Sequence, residues 1–330
     1  MKIAIVILNW NGRKLLENFL ASVVAHASGA AVYVADNAST DTSIQFIKTS
    51  FPKVKIIQNS TNGGYAKGYN DALKQVDAEV FCLLNSDVEV TAGWLDSIYT
   101  EFETHPETAI VQPKILDYKK KDHFEYAGAA GGFLDRYGFA FCRGRIFESI
   151  EKDEGQYNDR SSIFWASGAC FFIRKSTFDA LNGFDEHYFA HFEEIDLCWR
   201  AFNKGFDCVY IGQSTVYHVG GATLEPANPK KTYLNFRNSL YTITKNTGYF
   251  LPGILFSRML LDGIAGLRFL LQLKFDHFWA ILRAHFTFYS NLPRLLKQRR
   301  MLPQKKNHEL IQSIVWAYFI NKKRRFKFLT

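Results

Sequence analysis

A chain of 330 residues with 47% hydrophobic and 22% charged side chains can bury a sizeable core, as one large domain or two smaller ones, and falls outside the disordered and fibrous classes. Its formal charge of +8 hides an asymmetry: residues 231–330 carry eighteen Lys/Arg against three acids, so the first 230 residues are net acidic. An acidic front half argues against a nucleic-acid groove, and a basic, aromatic tail suits an anionic surface such as phospholipid headgroups.

The opening residues have too short an apolar run and no small-residue cleavage site, so they are expected to form a first strand rather than a signal peptide. Continuous β-branched runs predict strands at Lys2–Leu8, Ala31–Ala35, Val54–Ile57 and Val80–Leu84. Between them, Leu15, Leu16, Phe19, Leu20, Val23 and Val24 share one helical face, and Ala66–Val76 is a second helical segment. Strands buried on both sides and alternating with helices describe a parallel α/β sheet wound by crossovers. Ligands of such sheets bind beyond the carboxyl ends of the strands. Those ends carry Asp36-Asn37, Asn62-Gly63-Gly64 and Asn85-Ser86-Asp87.

Residues 117–160, glycine-rich, charged and without sustained period, are expected to run irregularly over one face and to order on ligand binding. Ile163–Arg174 is then a strand. Glu193–Lys204 is a helix with Ile195, Cys198, Trp199 and Phe202 on its apolar face, stopped by Gly205. Short strands are expected at Asp207–Ile211 and Thr215–Val219, and helices only after Thr232, at Leu251–Leu273 and Phe278–Leu296. Residues 249–273 hold Arg258, Asp262 and Arg268, so no uncharged run is long enough to span a bilayer. An amphipathic helix in the membrane interface is the expectation, with a helical cap or a homodimer contact through the C-terminal helices as the alternative. Five cysteines without a C-x-x-C pair suggest buried thiols in a reducing compartment, with neither disulfide nor zinc framework.

Candidate chemistry lies at four places. Asp87 puts a carboxylate at the sheet's ligand edge, where one carboxylate plus phosphate oxygens satisfies Mg²⁺ or Mn²⁺; an Asx turn into a helix at Thr91 is the alternative. Asp36, followed by Asn37, Ser39, Thr40 and Asp41, is placed to accept hydrogen bonds from a base or ribose, although Ser39 or Thr40 also makes a good helix cap. Glu193, Glu194 and Asp196 crowd one helix N-terminus. The dipole accounts for one or two of them, and crowding should raise at least one pKa toward that of a general base. His218, followed by Val219 and Gly220–Thr223, is either a metal or phosphate contact or a satisfied core histidine. Trp165, in Trp165-Ala166-Ser167-Gly168-Ala169, either stacks on a sugar or fills the core.

Taken in order, Ile-Val-Ile-Leu-Asn-Trp-Asn-Gly, Val-Ala-Asp-Asn-Ala-Ser-Thr-Asp, Asn-Gly-Gly-Tyr-Ala-Lys-Gly-Tyr-Asn, Leu-Leu-Asn-Ser-Asp, Trp-Ala-Ser-Gly-Ala and Phe-Glu-Glu-Ile-Asp-Leu-Cys-Trp-Arg resemble the family 2 glycosyltransferases, nearest the rhamnosyltransferase-like branch, over about residues 1–245. The resemblance implies a GT-A, Rossmann-like, mostly parallel sheet flanked by helices in residues 1–245, and a C-terminal helical extension in 246–330. It implies an inverting transfer of a sugar from a nucleotide-diphosphate donor to a saccharide or lipid-linked acceptor in surface polysaccharide synthesis, by a cytoplasmic enzyme peripheral on the inner face of the membrane. Donor contacts would come from Asn9, Asp36, Asn62, Gly63, Asn70, Asn85 and Ser86, and acceptor contacts from Trp165 and Gly168. Asp87 and His218 would hold Mg²⁺ or Mn²⁺. Glu194 would be the general base, flanked by Glu193 and Asp196, and Arg237-Asn238 would open the C-terminal helices.

Two departures from the family pattern stand out. Asn-Ser-Asp replaces Asp-x-Asp or Asn-Pro-Asp, leaving one carboxylate for metal. Glu-Glu replaces Glu-Asp at the base, which suits a different acceptor geometry or passes the role to Asp196. A nucleotide-sugar-binding subunit without turnover is the rival reading. A nucleotidyltransferase or a dinucleotide-binding oxidoreductase fits poorly, because no glycine-rich phosphate loop follows the first strand.

Overall fold

The computed structural model describes residues 1–220 and 228–329. The first half alternates as expected: β1 (Ile3–Asn9), α1 (Arg13–Ala25), β2 (Ala31–Asp36), α2 (Ser43–Ser50), β3 (Lys55–Gln58), α3 (Gly64–Leu73) and β4 (Val80–Asn85). Strands β3, β2, β1 and β4 lie side by side in parallel, with Asn9 opposite Asp36 and Leu8 opposite Asn85, so their carboxyl ends form one edge. Ile3 to Ile7 are buried on both faces because helices cover both sides.

Beyond β4 the chain departs from the sequence reading. A short strand, β5 (Val88–Val90), replaces the helix start expected at Thr91, and α4 (Asp96–Thr104) begins five residues later. Strand β6 (Thr108–Asp117) was not expected, because Gln112, Pro113 and Lys114 interrupt its apolar run, yet nine of its ten residues are buried. The stretch expected to be irregular is ordered. It holds β7 (Gly132–Leu134), β8 (Ala140–Cys142), β9 (Arg145–Ile146) and β10 (Ser149–Ile150), a small antiparallel sheet, and then β11 (Arg160–Ser162). Strands of two or three residues are too short to display a period.

The strand expected from Ile163 is confined to β12 (Cys170–Arg174), followed by α5 (Lys175–Ala180); residues 163–169 are irregular apart from a bridge between Trp165 and Gly132. Helix α6 (Glu193–Lys204) has the expected bounds, with Gly205 left-handed at its C-cap. The two closing strands are one, β13 (Asp207–His218), with a bulge between Ile211 and Thr215 that mimics a break in the sequence pattern. The main sheet runs β11-β13-β6-β12-β4-β1-β2-β3, with β5 on β13.

Helices α7 (Pro229–Asn246), α8 (Leu251–Leu271) and α9 (Phe275–Met301) close the structure. Arg237 and Asn238 lie in the middle of α7 rather than at its start. Residues 303–329 then return across the small sheet: Ile314 N donates to Asp135 Oδ2 at 2.9 Å, and the Phe326 ring lies 5.2 Å from that of Phe133. The basic run 322–327 is therefore anchored to the fold at Phe326, with Lys322, Arg324, Arg325 and Lys327 exposed around it. Ile254 and Ile314 share one core cluster with Ala4. All five cysteines are free and buried. Among the described residues no helix is long and apolar enough to cross a membrane.

Candidate active site

The carboxyl edge of the parallel strands is tied together by short polar bonds. Asn9 Nδ2 donates to Asp36 Oδ1 and to Ser39 Oγ, both at 3.2 Å, and Ser39 N donates to Asp36 Oδ2 at 3.0 Å. Asp36 is thus buried with both oxygens engaged, each retaining a lone pair. Asn9 Oδ1 is buried without a partner. A Cβ on Gly12 would fall 2.4 Å from it and 3.7 Å from Ser86 Oγ, so Asn9, Gly12 and Ser86 crowd one corner. Asn62 Oδ1 accepts from Asn37 Nδ2 at 2.9 Å and from Gly64 N at 3.0 Å.

In the same loop both glycines lack room for a side chain, and only 64 also has a backbone that favours glycine. Gly64 has φ +75°, and a Cβ there would lie 2.4 Å from the Phe189 carbonyl, while one on Gly63 would fall 2.6 Å from Lys67 Cβ. Asn70 is committed to the fold: its Nδ2 donates to Phe184 O and its Oδ1 accepts from Phe184 N, both at 2.9 Å. It staples α3 to the turn ahead of α6.

Pairing of β5 with β13 places His218 opposite Val88 and therefore beside Asp87. His218 Nε2 is 3.2 Å from Asp87 Oδ1, and its Nδ1 is 3.4 Å from Glu125 Oε1, an ion-pair distance without hydrogen-bond geometry. All three side chains are buried. Burial pulls the imidazole pKa down, but the Glu125 and Asp87 carboxylates outweigh it and raise it to about 10. An imidazolium between two carboxylates occupies the position of a cation. Neutral, the same Nε2 and the Asp87 carboxylate form a two-ligand set that diphosphate oxygens and water would complete. No three His, Cys, Asp or Glu side chains converge on a metal cage among the described residues. Glu125 lies in the stretch expected to be irregular and carried no sequence signal. Of the glycine-rich run after His218, Gly221, Ala222 and Thr223 lie outside the described residues.

The three acids of α6 separate sharply. Asp196 is fully buried and fully partnered: it accepts from Arg200 Nε and Asn246 Nδ2, both at 2.8 Å, and Lys245 Nζ lies 2.9 Å away. Burial would raise its pKa, but the Lys245 and Arg200 charges hold it below the usual range. Asp196 therefore ties α6 to α7 and is not a catalytic base. Glu193 and Glu194 each keep an oxygen without a partner. Burial, and the Glu194 charge beside it, raise Glu193 well above the usual glutamate value; burial raises Glu194 to about 7 against the pull of nearby backbone N–H groups. Glu194 is the more exposed of the two.

Three residues just before this pair, Phe189, His191 and Phe192, hold left-handed backbone with φ between 63° and 70°. Such residues cost about 1–3 kcal/mol each unless their surroundings over-determine them. Asn238 supplies that constraint: its Nδ2 reaches Tyr188 O at 3.2 Å, Ala190 O at 2.9 Å and His191 O at 2.7 Å.

Two series of residues, linked partly by hydrogen bonds and partly by charge effects, lie between Asp87 and the Glu193–Glu194 pair. On one side Asn85 N donates to Ala169 O at 2.9 Å, Gly168 O accepts from the Tyr65 hydroxyl at 2.9 Å, and the Glu193 and Glu194 charges reach Tyr65. On the other, Lys231 on α7 lies within electrostatic reach of both Glu125 and His191, with its pKa lowered by burial. Trp165 is a core side chain: it is 2% exposed, its Nε1 donates to Phe133 O at 3.0 Å, and its ring fills the space above Gly132. It has no free face for a sugar. Gly168 leaves room for the Tyr65 ring, whose hydroxyl would lie 3.2 Å from a Cβ there.

The family model described as "Glycosyl transferase family 2" matches residues 4–182. The N-acetylglucosaminyl-diphospho-decaprenol L-rhamnosyltransferase of Mycobacterium tuberculosis (strain ATCC 25618 / H37Rv) is 28% identical over 222 residues, covering 62% of this chain and 71% of that protein. S. aureus TarS 1-349 in complex with UDP-GlcNAc superposes with TM-score 0.55 at 15% identity, over 91% of this chain and 92% of that one. The mannosyltransferase PcManGT from Pyrobaculum calidifontis, in complex with GDP-Man and Mn²⁺, superposes with TM-score 0.52 at 13% identity, over 88% and 75%. At such identities the two superpositions speak to the fold alone, a mixed, mostly parallel α/β sheet with GT-A neighbours and C-terminal helices.

Proposed function

The chain belongs to glycosyl transferase family 2, transferring a sugar from a nucleotide donor, and from that premise we propose that it is an inverting, divalent-cation-dependent enzyme with Glu194 as its base. The observation that carries this reading is the Glu193–Glu194 pair: two buried carboxyl groups at one helix terminus, each with an unpartnered oxygen, and Glu194 the more exposed. A buried polar atom without a partner is costly, and an acceptor hydroxyl donating to Glu194 would relieve that cost. With its pKa near 7, Glu194 takes up the hydroxyl proton as that oxygen attacks the anomeric carbon from the face opposite the diphosphate.

Burial and the Glu194 charge both push the Glu193 carboxyl toward its neutral form, which lessens the competing charge beside the base. Asn9, Ser86, Asp36 and Asn62 line the nucleotide side, where Asn9 Oδ1 awaits a donor. Asp87 and His218 would hold Mg²⁺ or Mn²⁺, which when bound neutralises the diphosphate charge; an Mn²⁺ in the PcManGT complex supports this. Lys231 is placed to add a positive charge at the same end. A saccharide on a lipid diphosphate is the acceptor class we favour, since the mycobacterial relative's name carries such a substrate, and a deoxyhexose such as rhamnose is the favoured sugar.

The test is a panel of UDP-, GDP- and dTDP-sugars assayed for turnover with and without Mn²⁺ in the presence of a lipid-linked saccharide, with the product anomer read by NMR. Transfer with inversion that chelation abolishes is expected. Retention of configuration, or binding of donor without turnover under every condition, would overturn the reading, the latter in favour of a binding subunit.

A further inference from the structure

Helix α8 is built inside out. Two of its three charged residues face the protein: Arg258 and Asp262 are buried and paired at 2.8 Å, Asp262 also meets His285 at 3.2 Å, and Arg258 donates to Ser239 Oγ at 2.8 Å. Its opposite face presents Phe256, Leu260, Ile264, Leu267 and Leu271, each more than half exposed, at helical spacing that keeps them in one stripe. The surface continues around the hairpin to α9 through Leu273, Phe275 and Trp279, also more than half exposed. A helix of a water-soluble surface carries the reverse arrangement, and a contiguous apolar face of this size marks an interaction site.

A cavity of about 220 Å³ opens at the end of this stripe. Three cations line it, Arg268 of α8 with Lys322 and Arg324 of the returning C-terminal segment, along with Phe147, Tyr318 and Phe319; Glu148 is its one acid. None of the three cations makes an ion pair among the described residues, and Arg268 stands 5.5 Å from the Phe319 ring centroid. The hairpin also touches the start of α7, where His277 Nδ1 lies 2.8 Å from the Thr232 hydroxyl, one residue from Lys231.

We propose that the outward stripe of α8 and the α8–α9 turn seat in the interface of an anionic phospholipid bilayer, with the Arg268–Lys322–Arg324 cavity taking a lipid phosphate. Charge selects this occupant over a second copy of the chain: apolar pairing about a twofold axis would bring cationic rims together, whereas anionic headgroups neutralise them. The same seating would bring a lipid-borne acceptor to the cleft rim, a consequence that rests on the catalytic reading, whereas binding to lipid does not.

Flotation of the full chain with phosphatidylcholine vesicles, and with vesicles enriched in phosphatidylglycerol, tests it. The wild-type chain is expected to float with the anionic vesicles and to be released progressively by salt. Leu260→Glu/Ile264→Glu/Leu267→Glu should abolish flotation. Arg268→Gln/Lys322→Gln/Arg324→Gln should weaken partition into anionic vesicles roughly 100-fold, from about fivefold per cation near the surface, with little change on neutral ones. Melting temperature and nucleotide-sugar binding, unchanged in both variants, report an intact fold. Failure of the wild-type chain to float, flotation of the glutamate variant at wild-type level, or a dimer that the glutamate variant dissociates without any lipid binding overturns the proposal.

Discussion

Replacing Glu194 by glutamine separates stability from catalysis, because the ionised carboxylate is the costly form. Burial moves the Glu194 pKa from 4.5 to about 7. At about 1.4 kcal/mol per pH unit, holding the side chain charged in the folded state costs at most about 3 kcal/mol, less what its partial exposure screens. A carboxyl whose folded pKa lies above its unfolded one imposes nothing below pH 4.5. It destabilises progressively as pH rises from 4.5 to 7, and imposes its full cost above that. Glu194→Gln should therefore match the wild type in urea unfolding at pH 4.5 and exceed it by about 1–3 kcal/mol at pH 8, while transfer falls about 100-fold or more. Wild-type turnover should rise with pH through about 7 and then level off. Glu193→Gln is the control: burial and the neighbouring Glu194 charge push its carboxyl toward the neutral form, which glutamine imitates, so transfer should persist. A Glu194→Gln protein less stable than wild type at pH 8, or a flat wild-type profile between pH 5 and 8, would refute the assignment.

Three further perturbations test the frame around the pair. Gly64→Ala forces a left-handed alanine whose Cβ meets the Phe189 carbonyl, so denaturant unfolding should report a loss of about 1–3 kcal/mol. Asn238→Ala strips the side-chain donor from the Ala190 and His191 carbonyls of the strained turn, while Tyr188 O keeps Arg237 Nη2 at 3.1 Å. Stability should fall by about 1–3 kcal/mol, and kcat should fall with little change in the donor KM, because the turn sets Glu194 and not the nucleotide. For His218 the folded pKa is raised to about 10, so the metal-free protein should hold this stabilisation fully below pH 6.5 and lose it as pH rises through about 10. His218→Gln should erase that slope in thermal unfolding and, where Mn²⁺ binding is followed by calorimetry or electron spin resonance, weaken it.

What the amino acids reveal unaided depends on how far each residue's role is decided by its near neighbours. β1 through β4 are buried on both faces, and double burial writes itself as unbroken apolar runs; the carboxyl-edge loops then follow. Helix α6 carries its own start and stop in the acids at 193–196 and Gly205. β6 hides because Gln112, Pro113 and Lys114 are buried through long-range partners such as Gly128 O and Asp153, which local pattern cannot register. The small sheet hides because its strands are shorter than any period. Within the site, Glu194 and Asp196 look equivalent from sequence; Arg200 one turn on and the distant Lys245 offset the charge of Asp196, Asn246 donates to it, and none of the three reaches Glu194. Glu125, one of several acids in a stretch without a pattern, stands out once β13 delivers His218 beside it. The polarity of α8 reverses for the same reason, since Arg258 and Asp262 find each other one turn apart and turn their backs on solvent.

The return of residues 303–329 across the small sheet has a consequence for how the protein is made. Ile314 belongs to the same packed interior as Ala4, and Phe326 leans on Phe133 and Phe141. On a ribosome the interior begun by the first strand must wait some three hundred residues for its last pieces. During that interval a half-finished hydrophobic surface is exposed to chaperones, to neighbours and to whatever lipid lies close by. Removing the stretch beyond 303 would therefore harm yield and solubility in cells even though it touches none of the reacting groups.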